Sequence, residues 1–176
     1  MPTTREVRYQ GTIVDLGVET VSLPNGHIIR LEVVRHPGGS AVVALDEQKN
    51  VCLLKQYRYA AGGWLWELPA GKLEPEESAG LTARRELAEE AGVEGKIWQS
   101  LGSFLTTPGF CDERIHLFLT RQLIRVQKQP EKHEVIEIHW IPFHTALQQV
   151  YTGQIHDAKT MLGLLLAAPH VEGESV

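Results

Sequence analysis

Gly71–Val93 reads GKLEPEESAGLTARRELAEEAGV. Ser78 is a residue that caps helix starts, the run from Ala83 to Ala91 favours helix, and Gly92 stands where helices commonly end, so a helix is expected over 78–91. At about 100° per residue, Glu86, Glu89 and Glu90 fall on one arc with Arg85 at its edge, while Ala83, Leu87 and Ala91 form an apolar face opposite. Glu86 and Glu90 are a like-charge i, i+4 pair that costs an isolated helix roughly a few tenths of a kcal/mol. A hard divalent cation, Mg²⁺ or Mn²⁺, removes that repulsion, and Mg²⁺ is commonly shared with substrate phosphates. The acidic arc therefore points to metal-assisted phosphate chemistry.

Gly71, Glu77, Arg85, Glu86, Leu87, Glu89, Glu90, Gly92 and Val93 stand at every spacing of the Nudix box, G-x5-E-x7-R-E-U-x-E-E-x-G-U, with U a bulky aliphatic. A chance match in a chain of this length is on the order of one in ten million. The chain thus resembles a Nudix hydrolase. The resemblance implies an α/β/α sandwich around a mixed sheet, with a β appendage before it. It also implies that Glu86, Glu89, Glu90 and the Ala70 carbonyl hold Mg²⁺, more than one ion per site. Gly71 lets the backbone come close to a metal. Arg85 and Glu77 are expected to orient the carboxylates.

Upstream, Gln56-Tyr57-Arg58, the Gly62-Gly63-Trp64 loop and Glu67-Leu68-Pro69-Ala70 lead into the box, and Pro108-Gly109-Phe110 follows it. These features resemble the ADP-ribose pyrophosphatase branch, which implies hydrolysis of ADP-ribose to AMP and ribose 5-phosphate. Arg58 then touches the diphosphate, as a guanidinium fork suits phosphate oxygens, with Glu67 and Pro108 as further substrate-binding positions. A separate proton acceptor is expected because metal-bound carboxylates are poor bases. Glu134, ahead of the strand Val135–Ile141, takes that role by resemblance, with Glu131 and His133 as alternatives. A pyrophosphatase for GDP-mannose or another nucleoside diphosphate sugar remains open, as does a non-catalytic domain that senses ADP-ribose.

The 176 residues suit one catalytic domain with a small addition, and 43% hydrophobic with 22% charged residues argues against disorder. A formal charge of −5 argues against general nucleic-acid binding. Apolar runs are too short to span a membrane and MPTTREVRYQ lacks the apolar core of a signal peptide, so a cytoplasmic protein is expected. Cys52 and Cys111 form no CxxC pair, and the eight histidines show no paired-ligand spacing.

Around the box, residues 7–35 read as antiparallel strands, with Val18–Leu23 and His27–Val34 flanking Pro24-Asn25-Gly26. A boundary near Pro37–Gly39 separates an appendage, 1–38, from a hydrolase domain, 39–176. Ala41–Leu45 and Val51–Gln56 read as a strand pair, Lys96–Phe104, Ile115–Thr120 and Ile136–Trp140 as strands, and Thr145–Tyr151 and Ala158–Ala168 as helices. The appendage carries more apolar strand residues, Val18, Val21, Leu23, Ile28, Ile29, Leu31 and Val33, than a detached hairpin can keep from water. A homodimer is expected to cover them.

Overall fold

The computed structural model describes residues 2–128 and 135–172. The chain divides into two compact units, Met1–Gly38 with Phe104–Ile115, and Gly39–Ser103 with His116–Val176.

In the first unit, β1 (Pro2–Gln10), β2 (Asp15–Ser22) and β3 (Ile28–Arg35) form an antiparallel sheet in that order. The turn between β2 and β3 closes as its sequence suggests: the Leu23 amide donates to the His27 carbonyl, and Asn25 Oδ1 accepts from the His27 amide. The sheet begins earlier than its apolar pattern does, its first strand being laddered to β2 along its backbone and tied there by Arg5. Glu19, only 2% exposed, accepts from Arg5 and Arg35, while Arg5 also reaches Asp15 at 2.7 Å. The segment Phe104–Ile115 belongs here too. The Val34 amide donates to the Phe110 carbonyl at 2.7 Å, and Arg35 pairs with Asp112 at 2.9 Å. Burial pushes the Asp112 carboxyl up, but the Arg35 hydrogen bond and the His36 amide outweigh it and hold the group below the usual range.

The second unit holds β4 (Gly39–Ala44), β5 (Asn50–Arg58), β6 (Gly63–Glu67), β7 (Ala70–Lys72), β10 (Ile136–Pro142) and most of β8 (Val93–Leu105) and β9 (Arg114–Arg125). Helices α1 (Ala79–Glu86), α2 (Phe143–Tyr151) and α3 (Ala158–Glu172) complete the α/β sandwich. Its β layer is two sheets, β10-β5-β6 and β7-β4-β9-β8, where a single sheet was expected. Accordingly β4 and β5 do not form a hairpin. They meet at an isolated bridge, Leu45↔Val51, above a turn in which Asp46 Oδ1 accepts the amides of Gln48 and Asn50.

Val42, Ala44, Cys52 and Leu54 pack with Ala83 and Leu87 of the box helix and with Ala91 and Val93 beyond it. Each fully buried leucine here contributes roughly 1.5–3 kcal/mol, which fixes the helix against both sheets. Burial, with the charge of Glu90, pushes the Cys52 thiol up to about 12, so it is an inert core group. Helix α3 runs past Ala168 and through Pro169, its last carbonyls accepting from Lys49 Nζ (Val171, 3.2 Å) and Arg121 (His170, 2.5 Å). Two cations there suit the negative end of a helix. Among the described residues no helix is long and apolar enough to cross a membrane.

Candidate active site

The box begins on β7, whose Ala70 pairs with Ala41 and Gly71 with Ser40 of β4. Ser78 caps α1, its side chain accepting from the Leu81 amide at 3.4 Å. The helix does not stay α-helical to residue 91 as expected. From Leu87 to Ala91 it widens into a π turn, which closes at Gly92 with φ 68°, a left-handed conformation that glycine adopts without strain. Glu90 turns inward, 1% exposed, and its Oε2 accepts from the Ala70 amide at 2.9 Å. Glu86 and Glu89 face Arg85.

Arg85 binds the box together. Its Nε and Nη2 donate to the two oxygens of Glu77 at 3.1 and 3.0 Å, and its Nη1 donates to Glu86 at 2.6 Å and to Glu89 at 3.1 Å. Nη2 also reaches the Lys72 carbonyl at 3.2 Å, and Thr82 donates to Glu77 at 2.8 Å. The Glu77 hydrogen bond, reinforced by the charge of Glu86, raises the Arg85 pKa despite some desolvation. In return, Arg85 holds the Glu77 carboxyl below the usual range.

Among the described residues no group of three or more His, Cys, Asp or Glu side chains is arranged to hold a metal ion. One guanidinium, that of Arg85, lies between three carboxylates, those of Glu77, Glu86 and Glu89. The donor set nevertheless fits a hard divalent ion. It is made of carboxylate oxygens, those of three groups that meet on the one Arg85 guanidinium. Gly71 adds a geometric sign, since a Cβ there would lie inside the Glu86 carboxylate. An open depression of about 320 Å³ borders Arg85, Ala88, Glu89 and Glu94.

A second polar network stands where β5 and β6 end. Arg58 donates through Nε and Nη2 to Glu67 at 3.1 and 2.9 Å, and Lys159 Nζ donates to the same carboxylate at 2.9 Å. Glu67 is 2% exposed. Burial pushes its carboxyl up, but the hydrogen bonds and charges of Arg58 and Lys159 outweigh that and leave it below the ordinary range. Glu67 thus lies beneath Arg58 and carries it, whereas the Arg58 side chain is 42% exposed.

Of the aromatic residues here, Trp64 is exposed edge-on to Tyr57 at 5.8 Å, and Trp66 packs against His139 at 4.8 Å. Pro108 lies in an exposed turn of the first unit, closed by the Cys111 amide donating to the Thr107 carbonyl at 2.9 Å. Glu134, Glu131 and His133 lie outside the described residues. Sequence reasoning did not single out Lys159, Asp157 or Thr160. The signal was an acidic residue, a typical helix cap, just before the expected start of α3 at Ala158.

The family profile of the NUDIX domain matches residues 35–162. The ADP-ribose pyrophosphatase of Bacillus subtilis (strain 168) is 37% identical over 158 residues, covering 89% of this chain and 85% of its own. The methanol dehydrogenase activator of Bacillus methanolicus has the same identity and coverage, 37% over 158 residues, 89% and 85%. In fold, the chain is similar to a crystal structure of an ADP compounds hydrolase at a TM-score of 0.84, over 99% of this chain and 95% of that one, at 16% identity. Members of the family generally work with divalent metal ions, in keeping with the oxygen donors gathered at Arg85. A profile match over most of the chain, joined to a box with no position missing, means that the chain belongs to the Nudix family of hydrolases.

Proposed function

We propose that this hydrolase cleaves the diphosphate of ADP-ribose, adding water across the P–O–P bridge to give AMP and ribose 5-phosphate. The observation that carries this reading is the 37% identity to an ADP-ribose pyrophosphatase over 89% of the chain, which reaches well beyond the box into the parts that choose a substrate. Glu86, Glu89, Glu90 and the Ala70 carbonyl would hold Mg²⁺, more than one ion. When bound, such ions supply an acidified water and counter-charge for the phosphate oxygens. Arg58 binds the diphosphate from the rim, and Arg85 with Glu77 keeps the carboxylates in place. Glu134 takes the proton from the attacking water. In support, the strand after it is zipped to β5: Ile136 faces Gln56 and the Tyr57 amide donates to the Val135 carbonyl at 3.2 Å, one residue from Arg58.

The protein acts as a homodimer through its first unit. None of the described apolar side chains of β1–β3 is buried, and Val7, Tyr9 and Ile28 are 56%, 61% and 72% exposed. A second copy laid against this sheet removes them from water. Light scattering at micromolar concentration checks this, a monomer mass refuting it. For the activity, nucleoside diphosphate sugars, dinucleotides and triphosphates are incubated with Mg²⁺ and phosphate is read after phosphatase treatment. ADP-ribose should turn over fastest, and faster release from GDP-mannose or a triphosphate overturns the assignment.

A further inference from the structure

The network beneath Arg58 closes on itself. Just past β6, the Leu68 amide donates to Thr160 Oγ1 at 2.8 Å, and Thr160 Oγ1 donates to Asp157 Oδ2 at 2.6 Å. Asp157 Oδ2 also accepts the Thr160 amide at 3.0 Å, so the same carboxylate caps the first turn of α3. Its other oxygen accepts from Lys159 Nζ at 3.1 Å, and Lys159 Nζ donates on to Glu67 Oε2, returning to the residue before Leu68. Leu68 and Thr160 are 1% and 0% exposed, and the Lys159 side chain 16%.

Every member of the ring has a charge or donor that matches its neighbour. Two consequences follow from its placement. Glu67 and Leu68 are the last residues before Pro69, Ala70 and Gly71, so the ring ties the start of α3 to the segment that enters the box. Arg58 holds both oxygens of the Glu67 carboxylate, and Lys159 Nζ adds a second donor to Oε2 from α3. A carboxylate that is also tied to α3 presents a fixed surface to the guanidinium, whereas one held by Arg58 alone turns with it.

We infer that Lys159 is a positioning residue for substrate: through Glu67 it sets the direction in which Arg58 meets the diphosphate. The inference rests on the proposed role of Arg58. Lys159 touches no reacting atom in this scheme, and its effect reaches the substrate through two intervening side chains.

The test is a double-mutant cycle on the full-length enzyme with ADP-ribose and Mg²⁺. Lys159→Met, which keeps the length and removes the charge, should raise KM about tenfold, the scale of one lost hydrogen bond to a charged group, with kcat within about twofold. Lys159→Arg should bring KM back to within about threefold of wild type, because donors and charge return. In an Arg58→Ala background, Lys159→Met should change KM by less than about twofold, since the residue it positions is gone. Equal KM effects with and without Arg58, or an unchanged KM in Lys159→Met, overturn the inference. An Arg58→Ala enzyme with unchanged KM removes the reading of Arg58 itself, and that is seen from the single variant before Lys159 is altered. Thermal melts accompany each variant. If Lys159→Met does not fold, Lys159→Gln, which keeps a donor without the charge, is read by the same criteria.

Discussion

Around Glu67, two cations, Arg58 and Lys159, meet two carboxylates, Glu67 and Asp157. Around Arg85, one cation meets three, Glu77, Glu86 and Glu89. Both networks sit in the second unit and both depend on an arginine, yet the physics differs. Burying charge is costly unless it is matched and hydrogen-bonded, and the Glu67 ring meets that condition by itself. It can be a mount. The Arg85 cluster is more open and crowds three carboxylates onto one guanidinium, a like-charge crowding that a further cation relieves. The balanced network aims a side chain, and the acid-rich one suits a metal.

The largest effects expected lie on the chemistry. Glu134→Gln should lower kcat by a factor of about 10² to 10⁴ with Mg²⁺ affinity little changed, as for loss of a general base. Glu90→Gln should remove most of the activity through the metal while leaving the fold, because volume and the bond to the Ala70 amide are kept. Steady-state kinetics across a Mg²⁺ titration separates the two. Near-wild-type turnover of Glu90→Gln at saturating Mg²⁺ would put the metal elsewhere, and a kcat loss in Glu131→Gln in place of Glu134→Gln would move the base.

Breaking the balanced side should act on stability. Glu67→Gln leaves Arg58 and Lys159 against a neutral group and should cost about 3 kcal/mol, the low end for removing one partner of a buried pair. Urea unfolding measures it, and a loss below about 1 kcal/mol would make the ring no more than a surface ion pair.

Adding Mg²⁺ sharpens the contrast. Saturating the site a hundredfold above its Kd should stabilise the wild type by about 2.7 kcal/mol and raise its Tm, with EDTA reversing the rise. Glu86→Gln should blunt the rise, and Glu67→Gln should keep it. A Tm indifferent to Mg²⁺ in the wild type argues against a metal at the box.

The smallest effect is on pH dependence. Glu67 and Glu77 both titrate below their ordinary values when folded. Their contribution is therefore complete above the unfolded carboxyl pKa, about 4.3, and is lost as pH falls through the lowered folded values. Urea midpoints should match at pH 7 and pH 6 as far as these groups are concerned, and fall by pH 3. Stability that rises toward pH 3 contradicts both depressed values.

Local pattern made a good part of this readable. The Asn25-Gly26 turn, the Ser78 cap and the Gly92 stop depend on residues a few positions apart, and the box is a spacing rule within one helix and its approach. Arg85 and Glu89 stand at i, i+4, so their meeting follows from helical geometry, whereas Glu77 reaches Arg85 from ahead of the Ser78 cap. Tertiary structure decided the rest. The π turn that sends Glu90 to the Ala70 amide arises where Leu87 and Ala91 pack into the core while β7 lies alongside, and propensity carries no trace of that. Phe104–Ile115 joins the first unit through backbone pairing with Val34, which any sequence can offer. Lys159 and Glu67 stand 92 residues apart, and neither residue type in its own stretch names the other. The amino-acid sequence by itself determined the family, the acidic helix and the turns, because those rest on neighbours in the chain. The split β layer, the inward Glu90 and the ring under Arg58 were decided by the folded structure, because they rest on burial and charge matching between segments that only packing brings together.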